Sequence, residues 1–138
     1  MVLVCQYGVR TEDLGMVFQL IGCCYRLVRL LGLGEERLDL PTASPDDNTR
    51  IESERRLIWS CYILDNLIGA GVKDNHCWMA CPSIPLPVSE TDFVSRMLPS
   101  HNELPTIKAF SDDDTITQRL NLRSHIIHLV SLRTQVLR

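Results

Sequence analysis

The sequence predicts an all-α fold: an irregular multi-helix bundle joined by proline-rich loops and truncated at both ends. Three observations carry this. Apolar residues recur at alternating steps of three and four along Leu14, Val17, Ile21, Cys24, Val28 and Leu31. A second run of helical period turns almost wholly apolar from Leu57 to Leu64 after a charged start at Glu52-Ser53-Glu54-Arg55-Arg56. Prolines such as Pro41, Pro82, Pro85, Pro87 and Pro99 fall between such runs, where they end helices. With 138 residues, 45% hydrophobic and 22% charged, the chain has the size and balance of one globular domain with a real core.

The first residues, Val2 to Tyr7, are apolar and uncapped and read as the end of a helix already under way. Thr11 followed by Glu12 and Asp13 signals a new helix, an N-cap oxygen with acids in the first turn. Phe18, Leu20, Tyr25, Leu27 and Leu30 widen its stripe to most of the circumference, so it is expected inside a bundle. Gly32-Leu33-Gly34 stops it, glycine supplying the left-handed residue. Glu35 to Asn48 reads as an exposed loop.

Thr49 and Glu52 have the spacing of a capping box opening the next helix, which ends near Gly69-Ala70-Gly71. Glu52 precedes Arg56 by four residues, a helix pair worth a few tenths of a kcal/mol. In the loop that follows, Ile84-Pro85-Leu86-Pro87 must be extended, because a residue before proline is pushed out of the helical region. Ser89 and Asp92 cap a short helix carrying Phe93, Met97 and Leu98, closed by Pro99. Ser111 and Asp114 signal a last helix from about Thr115, using Ile116, Leu120, Ile127, Val130 and Leu137. Leu137 still lies on its apolar face and Arg138 brings no cap, so this end too is expected to be cut from a longer helical domain.

Composition excludes several classes. A net charge of -3, with the basic residues scattered rather than striped, gives no footprint for nucleic acid or an anionic membrane. No segment approaches the roughly 20 apolar residues of a spanning helix, and Met1-Val2-Leu3-Val4 lacks the basic region of a signal peptide. Cys23 and Cys24 are adjacent in a helical pattern and Cys61 sits in another. The six cysteines therefore read as buried free thiols of an intracellular protein.

Candidate chemistry is thin. Glu54 and Asp65 share a helix face but stand about 16 Å apart along it, beyond the roughly 5–9.5 Å of a glycosidase pair. Asp65 reads instead as a buried acid accepting hydrogen bonds from an arginine or from loop amides. His76, Cys77, Cys81 and His101 lack the matched pairs of a closed zinc site. His125 and His128 fall towards a polar face and read as solvated. No phosphate loop is present, and no cysteine sits in a nucleophile elbow. Trp59 and Tyr62 read as core side chains whose N–H and O–H need partners.

Glu52-Ser53-Glu54-Arg55-Arg56-Leu57-Ile58-Trp59-Ser60-Cys61-Tyr62-Ile63-Leu64-Asp65 resembles the E-x-x-R-R-x-x-W-x-x-Y-x-x-D core of the fungal-specific transcription factor domain, the middle homology region of zinc binuclear-cluster regulators. Gln19 to Gly34 is similar to the family's preceding helix and its L-G-L stop at Gly32. Ile84-Pro85-Leu86-Pro87 with Asp92 resembles its downstream I-x-x-P-L-P…D loop. The match is strongest over 14–98, and 99–138 is a weaker helical continuation of the same domain. Lys73-Asp74-Asn75-His76-Cys77-Trp78 replaces the family's glycine-arginine-proline element, and Gly34 replaces its histidine.

The resemblance implies that residues 1–138 are part of one nuclear, non-enzymatic regulatory domain that modulates transcription. Glu52, Arg55, Arg56, Trp59, Tyr62, Asp65, Gly32, Pro85 and Pro87 are then its structural motif residues. No cofactor is expected in this chain. Zinc and DNA belong to the family's separate N-terminal cluster, whose C-x2-C-x6-C spacing Cys5, Cys23, Cys24, Cys61, Cys77 and Cys81 do not share. The expected partners are a protein or small-molecule effector, and a second copy through regions outside this chain, with no membrane. The competing readings are a free-standing helical binding module without DNA binding and a cysteine-dependent enzyme.

Overall fold

The computed structural model describes residues 1–33, 45–69, 76–99, 104–107 and 121–137. Among these are five helices and no strand: α1 (Val2–Arg10), α2 (Leu14–Leu30), α3 (Pro45–Gly69), α4 (Glu90–Val94) and α5 (Leu122–Leu137). The all-α expectation holds. No described helix is long and apolar enough to cross a membrane.

α1 and α2 form a hairpin whose turn is set by helix-ending chemistry rather than by the Thr11 cap expected from sequence. Thr11 closes α1, its hydroxyl donating back to the Tyr7 and Gly8 carbonyls. Glu12 takes the left-handed region at φ 60, and the Asp13 amide returns to the Gly8 carbonyl at 3.0 Å. Asp13 is then the N-cap of α2, its carboxylate accepting from the Met16 amide. Gly32 ends α2 as expected, at φ 63, with the Leu33 amide donating to the Val28 carbonyl and Leu33 packed on the core.

α3 also starts earlier than its capping-box signal. Pro45 opens it, with Asp46 and Asp47 in the first turn, so Thr49 already lies inside the helix. α4 is capped by Ser89 as expected but ends at Val94, leaving Met97 and Leu98 beyond it. Arg96 supplies the left-handed residue there, at φ 56. Asn121 caps α5 by accepting from the Ser124 amide. The start expected at Thr115, its signals at Ser111 and Asp114, and Ile116 and Leu120 lie outside the described residues, as do most of the loop read from Glu35 to Asn48, Ala70-Gly71, His101 and the Leu137 side chain.

One core joins α1, α2, α3 and α5. α1 and α2 contribute Cys5, Val17, Ile21, Cys24 and Val28, α3 contributes Ile51, Ile58, Trp59, Cys61, Tyr62 and Leu64, and α5 contributes Ile127 and Val130. Ile84 and Leu86 of the proline loop complete it. α2 is less enclosed than its apolar girth suggests: Phe18, Leu27 and Leu30 are exposed. Among described helices it packs chiefly on α1 and α3. His125 and His128 are half-buried rather than solvated, and burial with His125 alongside pushes the His128 imidazole down.

The hairpin depends on Gly8, which is buried with Val17 and Met16 where a Cβ would sit. In an open helix Gly→Ala is worth about 0.5–1 kcal/mol of added stability. Here Gly8→Ala is expected to destabilise by about 1–3 kcal/mol through overpacking. Urea unfolding checks the sign, and a raised midpoint would contradict this packing.

Candidate functional site

α3 carries an unusual buried face. Glu52, Arg55, Trp59, Tyr62, Asp65, Asn66 and Gly69 follow one another at helical steps and all are buried. Polar groups in such a place must be satisfied by partners. For Glu52, Trp59 and Asp65 such partners come from the loop that follows.

Glu52 is 1% exposed. Its Oε1 accepts from the Val88 amide at 3.1 Å and from Arg56 Nε at 3.0 Å, while Oε2 accepts from Arg55 Nη1. Glu52 is thus no surface ion pair worth tenths of a kcal/mol, as its spacing to Arg56 suggested, but the centre of a buried network. Arg55 is buried beside it, and burial pushes its guanidinium down against the opposing pull of the Glu52 carboxylate. Arg56 reaches outward: Nη1 donates to Glu90 at 2.9 Å, and Nη2 to the Val88 and Ser89 carbonyls, both at 3.2 Å. Its guanidinium carbon also lies 3.9 Å from the Phe93 ring centroid, a cation–π contact that docks α4.

The same face continues with Trp59, whose Nε1 donates to the Pro85 carbonyl at 2.8 Å. Proline has no N–H, so a segment with Pro85 and Pro87 cannot build a ladder of its own and its carbonyls need outside donors. Trp59 serves Pro85, Asn121 Nδ2 serves the Pro87 carbonyl at 2.7 Å, and the Leu86 amide donates to the Pro105 carbonyl at 2.8 Å. Asp65 then holds the start of the segment, Oδ1 accepting from the Cys77 amide at 3.0 Å and Oδ2 from the Trp78 amide at 2.9 Å. This is the buried acid with loop-amide partners that the sequence suggested.

Positions 52, 59 and 65 therefore hold 88, 85 and 77–78, so the loop runs antiparallel to α3. From Glu52 to Trp59 the helix rises about 10 Å, which three loop residues cover only when extended. From Trp59 to Asp65 it rises about 9 Å, while some eight loop residues span the same distance and must bend. The extended Ile84-Pro85-Leu86-Pro87 and the turns before it follow from these anchor positions.

Edge-to-face rings tie the lower end to α2: Trp59–Tyr62 at 5.6 Å, Tyr62–Trp78 at 6.4 Å and Tyr25–Trp78 at 5.2 Å between centroids. His76 packs on Gly69, with Nδ1 3.8 Å from Asp65 Oδ2. On the far side Asn66 joins α5, its Oδ1 accepting from the Thr134 hydroxyl at 2.7 Å and its backbone carbonyl from Arg133 at 3.3 Å.

Of the nine motif residues, Glu52, Arg55, Arg56, Trp59, Tyr62, Asp65, Pro85 and Pro87 come together here, while Gly32 stands apart at the end of α2. Glu54 is not in the array; it pairs with Arg50 at 3.6 Å. Sequence reasoning missed Asn66, Thr134, Asn121 and Trp78. Asn66 offered the same signal as Asp65, a polar side chain on a buried helical face.

All six cysteines are free thiols: Cys5, Cys24 and Cys61 buried, Cys77 and Cys81 half-buried, and Cys23, contrary to expectation, exposed. Burial, with Cys24, Cys5 and Asp65 nearby, pushes the Cys61 thiol up to about 12, which disfavours thiolate formation at neutral pH. Among the described residues no group of three or more His, Cys, Asp or Glu side chains is arranged to hold a metal ion. An apolar cleft of about 370 Å³ opens between α1, α2 and α3, lined by Val2, Leu27, Val28, Leu31, Leu57 and Cys61 among others. No protein-family profile, curated protein or solved structure matches the chain.

The array makes Asp65 a sharp test. Asp65→Leu leaves the Cys77 and Trp78 amides unpaired, expected to cost about 1–3 kcal/mol for each. Asp65→Asn, which can still accept one of the two bonds, is expected to cost less. Thermal melting of both variants checks the order, and an unchanged midpoint for Asp65→Leu would contradict the assignment.

Proposed function

We propose that this chain is a regulatory domain of the middle-homology type from a fungal zinc-cluster transcription factor, acting in the nucleus to modulate transcription without chemistry of its own. In this reading DNA and zinc are handled by a separate cluster domain, and the chain contributes a rigid helical surface that a protein or small-molecule effector can engage.

One observation carries the reading. Two of the three segments on which the resemblance rests, Glu52–Asp65 and Ile84–Pro87, meet through the Trp59–Pro85 hydrogen bond, and Glu52 and Arg56 hold Val88 directly after Pro87. Those residue types at that spacing therefore have a joint physical reason to occur together. Cys61, its thiol pushed up by burial, is poorly suited to act as a nucleophile at neutral pH.

The second reading, a free-standing helical binding module, is favoured by the apolar cleft, whose volume of about 370 Å³ falls in the range of small-ligand pockets. A reporter assay separates the two. The chain is placed between a heterologous DNA-binding domain and an activation domain in a fungal host, beside an inert spacer of equal length. The regulatory reading expects a several-fold change in reporter output relative to the spacer. Output equal to the spacer's, from a chain shown to be folded in the fusion, would overturn it in favour of the binding module.

A further inference from the structure

The buried thiols come from three different helices: Cys5 from α1, Cys24 from α2 and Cys61 from α3. All belong to the apolar core, and none is more than 6% exposed. The Cys24 thiol is shared, within hydrogen-bonding reach of both the Cys5 and the Cys61 thiol. Cys24 and Cys61 also open on the apolar cleft, whereas Cys5 does not line it. The other lining side chains, among them Val2, Leu27, Val28 and Leu57, are apolar, and no charged side chain lines the cleft.

These surroundings select what the pair can hold. Charge left in an apolar site is costly. A copper(I) bis-thiolate would leave a net negative charge there, and zinc would lack the four ligands of a closed site. Burial pushes the Cys61 thiol up to about 12, so reactions that need a standing thiolate, such as alkylation or disulfide exchange, are disfavoured. Trivalent arsenic carrying one organic group meets each condition. It seeks sulfur, enters neutral as R–As(OH)2 and remains neutral as R–As(SR′)2. Its angular S–As–S bridge suits sulfurs within hydrogen-bonding reach, while a linear S–Hg–S bridge needs them further apart.

We propose that Cys24 and Cys61 form a dithiol site for a neutral organoarsenic(III) compound, whose apolar substituent occupies the cleft between α1, α2 and α3. Two As–O bonds break and two As–S bonds form. The thiol protons leave with the arsenic hydroxyls as two waters, arsenic stays trivalent, and no oxidant is needed. The cleft volume of about 370 Å³ admits a phenyl substituent. The site is independent of the regulatory reading.

Phenylarsine oxide added to the folded full chain tests this, with adducts read by native mass spectrometry and free thiols by titration. The expected result is one arsenical per chain with loss of two thiols, in an adduct that survives excess glutathione but is removed by a small dithiol. Cys5→Ala should keep the adduct, as should the triple variant Cys23→Ser, Cys77→Ser, Cys81→Ser. Cys24→Ala and Cys61→Ala should each lose it. Circular dichroism verifies each fold, and Cys24→Val or Cys61→Val replaces an alanine variant that unfolds. A wild-type chain that takes up no arsenical, or an adduct stripped by glutathione, would overturn the proposal. So would an adduct that survives loss of Cys24 or Cys61, or one that disappears in Cys5→Ala or the triple variant.

Discussion

One of the buried carboxylates, that of Glu52, constrains the rest of the structure. A buried charge is tolerated only with its hydrogen-bonding capacity filled, and Glu52 draws donors from Arg55, Arg56 and the Val88 amide. Two of those donors lie on its own helix, but the third comes from 36 residues away. Satisfying Glu52 therefore fixes where the chain must return. Once Val88 is in place, the antiparallel course brings Pro85 under Trp59 and Cys77-Trp78 under Asp65.

The array fixes register more than it adds net stability. Buried ion pairs repay much of their Coulomb attraction in desolvation, and apolar packing of equal volume would serve as well for cohesion. A proline-rich segment, however, has few donors and no helical or sheet pattern of its own to set its position. Polar anchors at defined steps of α3 give it one. Arg56 extends that control to α4 through Phe93 and Glu90, and Asn66 extends it to α5 through Thr134. The α3 helix thus acts as the template on which the later elements are set.

The helical period revealed the fold class, the stop at Gly32 and the buried face of α3, because each depends on local spacing. The Asp65 partners were legible for the same reason: a lone acid on an apolar face has few solutions. Glu52 was misread, since the spacing to Arg56 is the same whether the pair is in water or in the core. Thr11 and Thr49 looked like caps because each is a hydroxyl residue followed by acids; at Thr11 the left-handed residue at Glu12 decided otherwise, and at Thr49 the helix had already begun at Pro45. For α5 the spacing placed Ile127 and Val130 inward and both are buried there, but its polar contact with α3 through Asn66 and Thr134 was not legible.

A loop held by buried side chains should behave dynamically like a helix, although it contains no regular structure between Cys81 and Ser89. Native-state hydrogen exchange of the Val88 amide measures this most directly. The account predicts that Val88 opens with a free energy within about 1–2 kcal/mol of global unfolding, alongside the central amides of α3. Exchange of Val88 at the rate of a freely fluctuating loop, while α3 stays protected, would contradict the claim that Glu52 anchors the fold.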